Sequence, residues 1–144
     1  MVTGSGRGIG AGIARAFAAE GAKVVVCDLD VDPANAVADE ICEVGGEAIS
    51  VVMDVTNRDQ IEGALAKAID AFGAVDILVN NAGLSIPAMI EKMTPEQWDQ
   101  GTAVNLTGVF NCTQIVGRTF VARGRENPDA LCNGKIVNVT SVAG

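Results

Sequence analysis

The stretch Thr3-Gly4-Ser5-Gly6-Arg7-Gly8-Ile9-Gly10-Ala11-Gly12 constrains this chain more than any other feature. It carries five glycines across the junction from the β-rich Met1-Val2-Thr3 into a helical pattern that starts at Gly8. A glycine-rich turn from strand to helix lets backbone N–H groups approach a phosphate, and the helix N-terminus adds partial positive charge. Two registers fit. Gly6-Arg7-Gly8-Ile9-Gly10-Ala11 matches the common dinucleotide fingerprint, whereas Gly4, Gly8 and Gly10 define a wider loop. The glycines alone leave the choice open.

The rest of the chain repeats strand, helix, strand. Ile9, Ile13 and Phe17 recur every four residues and predict one apolar stripe on a first helix, Gly8 to Glu20, with Gly21 placed to end it. Lys23-Val24-Val25-Val26-Cys27 scarcely alternates, as expected of a strand covered on both faces. Asp32 and Pro33 read as N-cap and first position of a second helix that stops at Gly45-Gly46. A third strand spans 47–53, and a third helix, Arg58 to Phe72, closes at Gly73. A fourth strand spans 75–80. Thr94-Pro95-Glu96-Gln97 is a capping box opening a long helical region to about Arg123, with room for a break. A polar loop then leads to a fifth strand, 135–140. Such alternation means right-handed βαβ units and a parallel sheet between two helical layers, the doubly wound α/β class.

Composition excludes several functions. A net charge of −8, with 10 Lys and Arg and no basic run, argues against nucleic-acid or anionic-membrane partners. No apolar stretch reaches transmembrane length and no signal-peptide pattern is visible, which predicts a soluble cytoplasmic protein. With no His, and with Cys27, Cys42, Cys112 and Cys132 scattered, no metal site is expected. The four thiols are expected to be reduced and mostly buried. The same lack of His removes every Ser-His or Cys-His catalytic pair.

Asp28, at the end of the second strand, lies 28 − 10 = 18 residues after Gly10, close to the ~20 at which an acidic side chain receives the adenosine ribose hydroxyls. Its charge also repels a 2′-phosphate, favouring NAD over NADP; Arg7 pulls weakly the other way. Asp30 and Asp32 read as loop or cap residues. Trp98 and Phe110 read as core or interface packing.

Asn80-Asn81-Ala82-Gly83, Val104-Asn105-Leu106-Thr107-Gly108 and Ile136 to Gly144 narrow the class. With them the chain resembles the short-chain dehydrogenase/reductase family over essentially its whole length. The resemblance selects the wider glycine register: Thr3, Gly4, Gly8, Ile9 and Gly10 match, Ser5 and Arg7 lie within the same cofactor loop, and Gly6 is a tolerated extra. It implies NAD as cofactor, with NADP less favoured, and Leu29 beside Asp28 at the adenosine end. Asp54 matches the residue that holds the adenine amino group, with Val55 next to it, although Asp54 also reads as a cap for the next helix. Asn81, Ala82 and Gly83 match the segment lining the cofactor cleft. Asn105 matches the helix residue that interrupts helical hydrogen bonding near the proton relay. Ser141 matches the catalytic serine, with Thr140 the alternative if the register slips by one. The implied substrate is a small alcohol or ketone, of 3-oxoacyl reductase or hydroxysteroid or hydroxyacyl dehydrogenase type, in a homodimer or homotetramer.

The chain departs from that pattern in one respect. It contains no Tyr, and so lacks the Tyr-x-x-x-Lys of the family's proton transfer. Residues 1–144 therefore read as an incomplete cofactor-binding domain, stopping before a sixth and a seventh strand and inactive alone. A dinucleotide-binding or interaction module without chemistry is the rival expectation. The first strand is expected mid-sheet, and the fifth is expected to leave an apolar edge.

Overall fold

The computed structural model describes residues 1–141. The elements follow in chain order: β1 (Val2–Thr3), α1 (Gly8–Ala19), β2 (Val24–Asp28), α2 (Val31–Glu43), β3 (Ala48–Val52), α3 (Arg58–Phe72), β4 (Ile77–Asn80), α4 (Pro95–Thr102), α5 (Val109–Glu126) and β5 (Lys135–Asn138). All pairings are parallel, in the order β3-β2-β1-β4-β5. This is a Rossmann-like α/β sheet with the chain reversing direction of travel next to β1. Open sheets of this kind bind ligands beyond the strand C-termini at such a reversal.

The non-alternating Val24 to Cys27 run is explained by its two buried faces. Val24 and Val26 join Ala11, Ala14, Val37 and Ile41 of α1 and α2 in one core. Val25 and Cys27 turn to the other face, against a larger core built with Ile61, Leu65, Cys112, Ile115 and Val116 of α3 and α5. β1 lies centrally, as expected, and is short; the Met1 ammonium donates to the Ile77 carbonyl at its lower end. Burial of that ammonium lowers its pKa. β5 forms the edge, with Ile136 and Val137 partly exposed.

Four local expectations are corrected. Ile9 is 71% exposed, and α1 instead packs through Gly10, Ala11 and Ala14. Small residues let the start of the helix lie close to the sheet, while Phe17 of the expected stripe, partly buried, packs against the same core farther along. The second helix starts earlier than Asp32 predicts, with Asp30 at the N-cap position. Cys42 and Cys132 are exposed, so only Cys27 and Cys112 are buried thiols. Trp98 is 61% exposed and Phe110 55%, which removes both from the core and leaves the interface alternative of that expectation standing.

Candidate functional site: a phosphate-binding turn and its cleft

Two positions in the glycine loop require a left-handed backbone. Gly4 has φ +60° and Gly8 φ +54°, conformations that L side chains rarely adopt. Gly10 is required for closeness instead. A Cβ there would collide with the Gly4 carbonyl oxygen and the Asn81 side-chain amide. The wider register is thus the one whose glycines the backbone needs.

The loop is fixed from β4. The Thr3 hydroxyl accepts from the Asn81 and Ala82 N–H groups at 3.0 and 2.9 Å. In return the Asn81 amide donates to the Thr3 and Gly4 carbonyls at 3.0 and 2.9 Å. Thr3 is buried, so this lattice is structural and sets the shape of the turn. Ser5 is corrected here as a cofactor residue. Its side chain is fully buried, its hydroxyl donates to the Val2 carbonyl at 2.8 Å, and it accepts from Cys27 N–H at 3.0 Å. Ser5 ties β1 to β2 from inside.

Helix α1 starts without help. Its N-cap is Arg7, no side chain caps it, and its first turn holds no acidic residue. The first backbone donor satisfied in the helix is Ala11, on the Arg7 carbonyl. The N–H groups of Gly8, Ile9 and Gly10 are therefore left for an external acceptor, and an anion is the natural one. Side chains do cap two later helices, Asn57 accepting from Gln60 at α3 and Thr94 and Gln97 forming the expected capping box at α4, whereas α2, like α1, has no side-chain cap.

Asp28 ends β2 beside this turn. Its Oδ2 accepts from Gly6 N–H at 2.8 Å, and its Oδ1 from Asp30 N–H at 3.2 Å. A Cβ on Gly6 would stand 3.0 Å from the Asp28 carboxylate. Gly6 is thus more than a tolerated extra, because it lets the loop close onto the acid. Arg7 Nη1 donates to Asp30 Oδ2 at 2.7 Å, joining the same two turns at the surface. Leu29 is exposed at the rim.

The opposite wall comes from the turn after β3. Asp54 Oδ1 accepts from both the N–H and the hydroxyl of Thr56, each at 2.8 Å. Asn57, not Asp54, caps α3. Val55 is buried against Gly108, where a Cβ would come within 2.6 Å of its methyl group. Asp28, Leu29, Asp54, Val55, Ala82 and Gly83 line one cleft of about 610 Å³ with Gly4 at its base.

The expected break in the long helix is a π-helical stretch, Ala103–Gly108, with Asn105 inside it. Such widened turns collect at functional sites. The Asn105 amide pairs with the Leu84 backbone like a peptide, accepting from its N–H and donating to its carbonyl, each at 2.8 Å. It therefore pins the segment after Gly83 to the helix. Ser141 and Thr140 lie just past β5, exposed, beyond the same strand ends as the glycine loop. Val142, Ala143 and Gly144, also part of the sequence motif, lie outside the described residues.

Sequence reasoning missed three contributors. Gly6 was visible only as a surplus glycine. Gly108 carried no signal apart from its place in the motif. Asn111, buried, accepts from Arg58 at 2.8 Å and donates to the Val55 carbonyl at 3.3 Å, bracing the turn after β3 from behind. Among the described residues no group of three metal-ligating side chains occurs, and no helix is long and apolar enough to cross a membrane.

These residues suit a dinucleotide: an uncapped helix N-terminus for a pyrophosphate, a carboxylate on a neighbouring strand end for a ribose, and a cleft that this carboxylate and Gly4 of the loop help to line. Comparison with known proteins agrees. A family model described as short chain dehydrogenase matches residues 1–144. The chain is 39% identical to a sorbitol dehydrogenase of Cereibacter sphaeroides, over all of this chain and 52% of that protein. It is 41% identical to a 3-oxoacyl-[acyl-carrier-protein] reductase of Synechocystis, over all of this chain and 56% of the other. A short chain dehydrogenase structure from Mycobacterium avium superposes with TM-score 0.91 at 39% identity, covering 99% of this chain and 53% of that one. A gluconate 5-dehydrogenase from Burkholderia cenocepacia, solved with NADP and tartrate, gives 0.85 at 40% identity, covering 97% and 52%. The chain spans about half the length of the curated relatives it matches.

Proposed function

The chain belongs to the short chain dehydrogenase family, and from that premise we propose that its cleft holds NAD for an oxidoreductase that interconverts a secondary alcohol and a ketone. The observation that carries this reading is the uncapped N-terminus of α1 set beside Asp28. When bound, the dinucleotide supplies the hydride acceptor or donor. The chain's residues do the rest. The N–H groups of Gly8, Ile9 and Gly10 receive the pyrophosphate, Asp28 takes the ribose hydroxyls, and Asp54 with Val55 meets the adenine. Ala82 and Gly83 form the floor, Asn105 keeps that floor in place, and Ser141 donates a hydrogen bond to the substrate oxygen.

NAD is preferred because the Asp28 carboxylate stands where a 2′-phosphate would add like charge. Residues 1–144 act as the cofactor-binding domain, in the cytoplasm, within a homodimer or homotetramer. A second reading is a dinucleotide-binding module without chemistry, for which the same cleft would serve. Both readings share the cleft, and Asp28→Ala tests it by calorimetric titration. Loss of a charged hydrogen-bond acceptor costs about 1.5–3 kcal/mol, so NAD should bind roughly ten- to a hundredfold more weakly. Discrimination against NADP should shrink with it. A variant that separates the two cofactors as well as the parent removes Asp28 from the ribose. Turnover of secondary alcohols by the protein as translated from its gene separates enzyme from module.

A further inference from the structure

We propose that Asp30 is a specificity-determining residue that acts through Arg7, holding this cation away from a 2′-phosphate at the adenosine end; the inference rests on the dinucleotide reading of the cleft. Four segments approach that end, residues 3–12, 28–34, 53–56 and 81–84, and of these Gly4, Asp28, Leu29, 53–56 and 81–84 line the cleft itself. Arg7 is the only Lys or Arg in any of them. It is therefore the one side chain there able to neutralise an added phosphate, and its guanidinium is engaged with Asp30 at 2.7 Å.

Asp30 is shaped for this use by what it gives up. It occupies the N-cap position of α2, where an Asp side chain ordinarily accepts from the helix's own first N–H groups. Here no side-chain cap bond forms, and the carboxylate takes Arg7 instead. Its backbone N–H meanwhile binds Asp28 Oδ1, so the acid that faces the ribose and the acid that holds Arg7 are set in one turn. The same four segments hold Asp28, Asp30, Asp32 and Asp54 against Arg7, a net charge of −3 where a phosphate would arrive. Neutralising Asp30 reduces that excess by one and releases the guanidinium in the same step.

Both partners are more than half exposed. Such pairs contribute little to stability, so a phosphate competes for Arg7 at modest cost and discrimination is graded. The pair sets a preference that one substitution can shift.

The test is calorimetric titration of the chain with NAD⁺ and NADP⁺ at low ionic strength, using the parent, Asp30→Asn, Arg7→Gln and the double variant. Asn keeps N-cap ability, so α2 should be retained, which far-UV circular dichroism checks. Asp30→Asn should tighten NADP⁺ about tenfold and move NAD⁺ by less than about twofold, the exposed pair itself contributing only a few-fold of that gain. In the Arg7→Gln background the same change should gain no more than about threefold, since only the lost repulsion remains. Unchanged NADP⁺ affinity in Asp30→Asn overturns the proposal, as does a gain of equal size with Arg7 absent. Binding of neither dinucleotide by the parent overturns the cofactor reading itself, and this inference with it.

Discussion

Replacing Thr3 with Val isolates the bond lattice that shapes the phosphate-binding turn. The two side chains are nearly isosteric, so packing in the centre of the sheet is kept and only the hydroxyl is lost. That hydroxyl accepts two backbone donors, Asn81 N–H at 3.0 Å and Ala82 N–H at 2.9 Å, which occupy both of its lone pairs. Each donor left without a partner costs about 1–3 kcal/mol. Asn81 and Ala82 are only partly buried, so water recovers some of that loss and the lower half of the range applies. The expected destabilisation is about 2–4 kcal/mol for the pair. Urea unfolding followed by far-UV circular dichroism reads this as a midpoint lowered by about 1–2 M at a slope of roughly 2 kcal/mol per M. Thr3→Ser keeps the acceptor and loses one methyl group, worth about 0.8 kcal/mol. A Thr3→Val protein within about 0.5 kcal/mol of the parent, smaller than any single unsatisfied donor should cost, refutes the reasoning. So does a Ser variant as unstable as the Val variant.

Ser141→Ala, in the protein as translated from its gene, should lower turnover on the order of a hundredfold, the usual loss when a donor to developing charge is removed. NAD affinity should stay at the parental value, and steady-state kinetics beside calorimetry measure both. Burial pushes the Cys27 and Cys112 thiols up to about 12. Near pH 8 a disulfide reagent should therefore label Cys42 and Cys132 quickly and reach the other two only on unfolding; four fast thiols would contradict the described packing.

The architecture was legible because hydrophobic period and punctuation agree along most of the chain. Gly73 ends α3 with φ +85°, Thr94 and Gln97 form both bonds of their box, and Val24 to Cys27 feed two cores. Errors arose where a local pattern competes with tertiary contact. The Ile9 to Phe17 period is real, but α1 is drawn to the sheet through its small residues because the turn before it must pass close to β4. Asp32 before Pro33 is a sound cap signal, yet Asp30 starts the helix because its N–H is already bound to Asp28. Cys42 is exposed in the last turn of α2 and Cys132 in the loop before β5, placements that side-chain hydrophobicity does not encode.

At the site, the glycine positions were legible because left-handed backbone and close approach restrict them to glycine, whereas Asp28 was read from its spacing and its place at a strand end. Gly6 was not, since its role is a distance to a carboxylate 22 positions away. Nor was the burial of Ser5, whose hydroxyl belongs to a strand pair that only the folded sheet creates. Asn105 came from the resemblance, and its grip on Leu84 depends on a widened helical turn that no period in the sequence announces.

The central claim is that a dinucleotide lies across the ends of β1, β2 and β4 with its phosphates on α1. The most direct measurement is an amide chemical-shift titration of the isotope-labelled chain with NAD⁺. The account predicts the largest shifts at Gly8, Ile9 and Gly10, with others at Asp28, Asp54, Ala82 and Gly83, all saturating at one dissociation constant. At the opposite end of the sheet a second hollow of about 690 Å³ is lined by Gly21, Ala22, Gly45 and Gly46. Shifts confined to that hollow, or none at Gly8 to Gly10 at saturating NAD⁺, would contradict it.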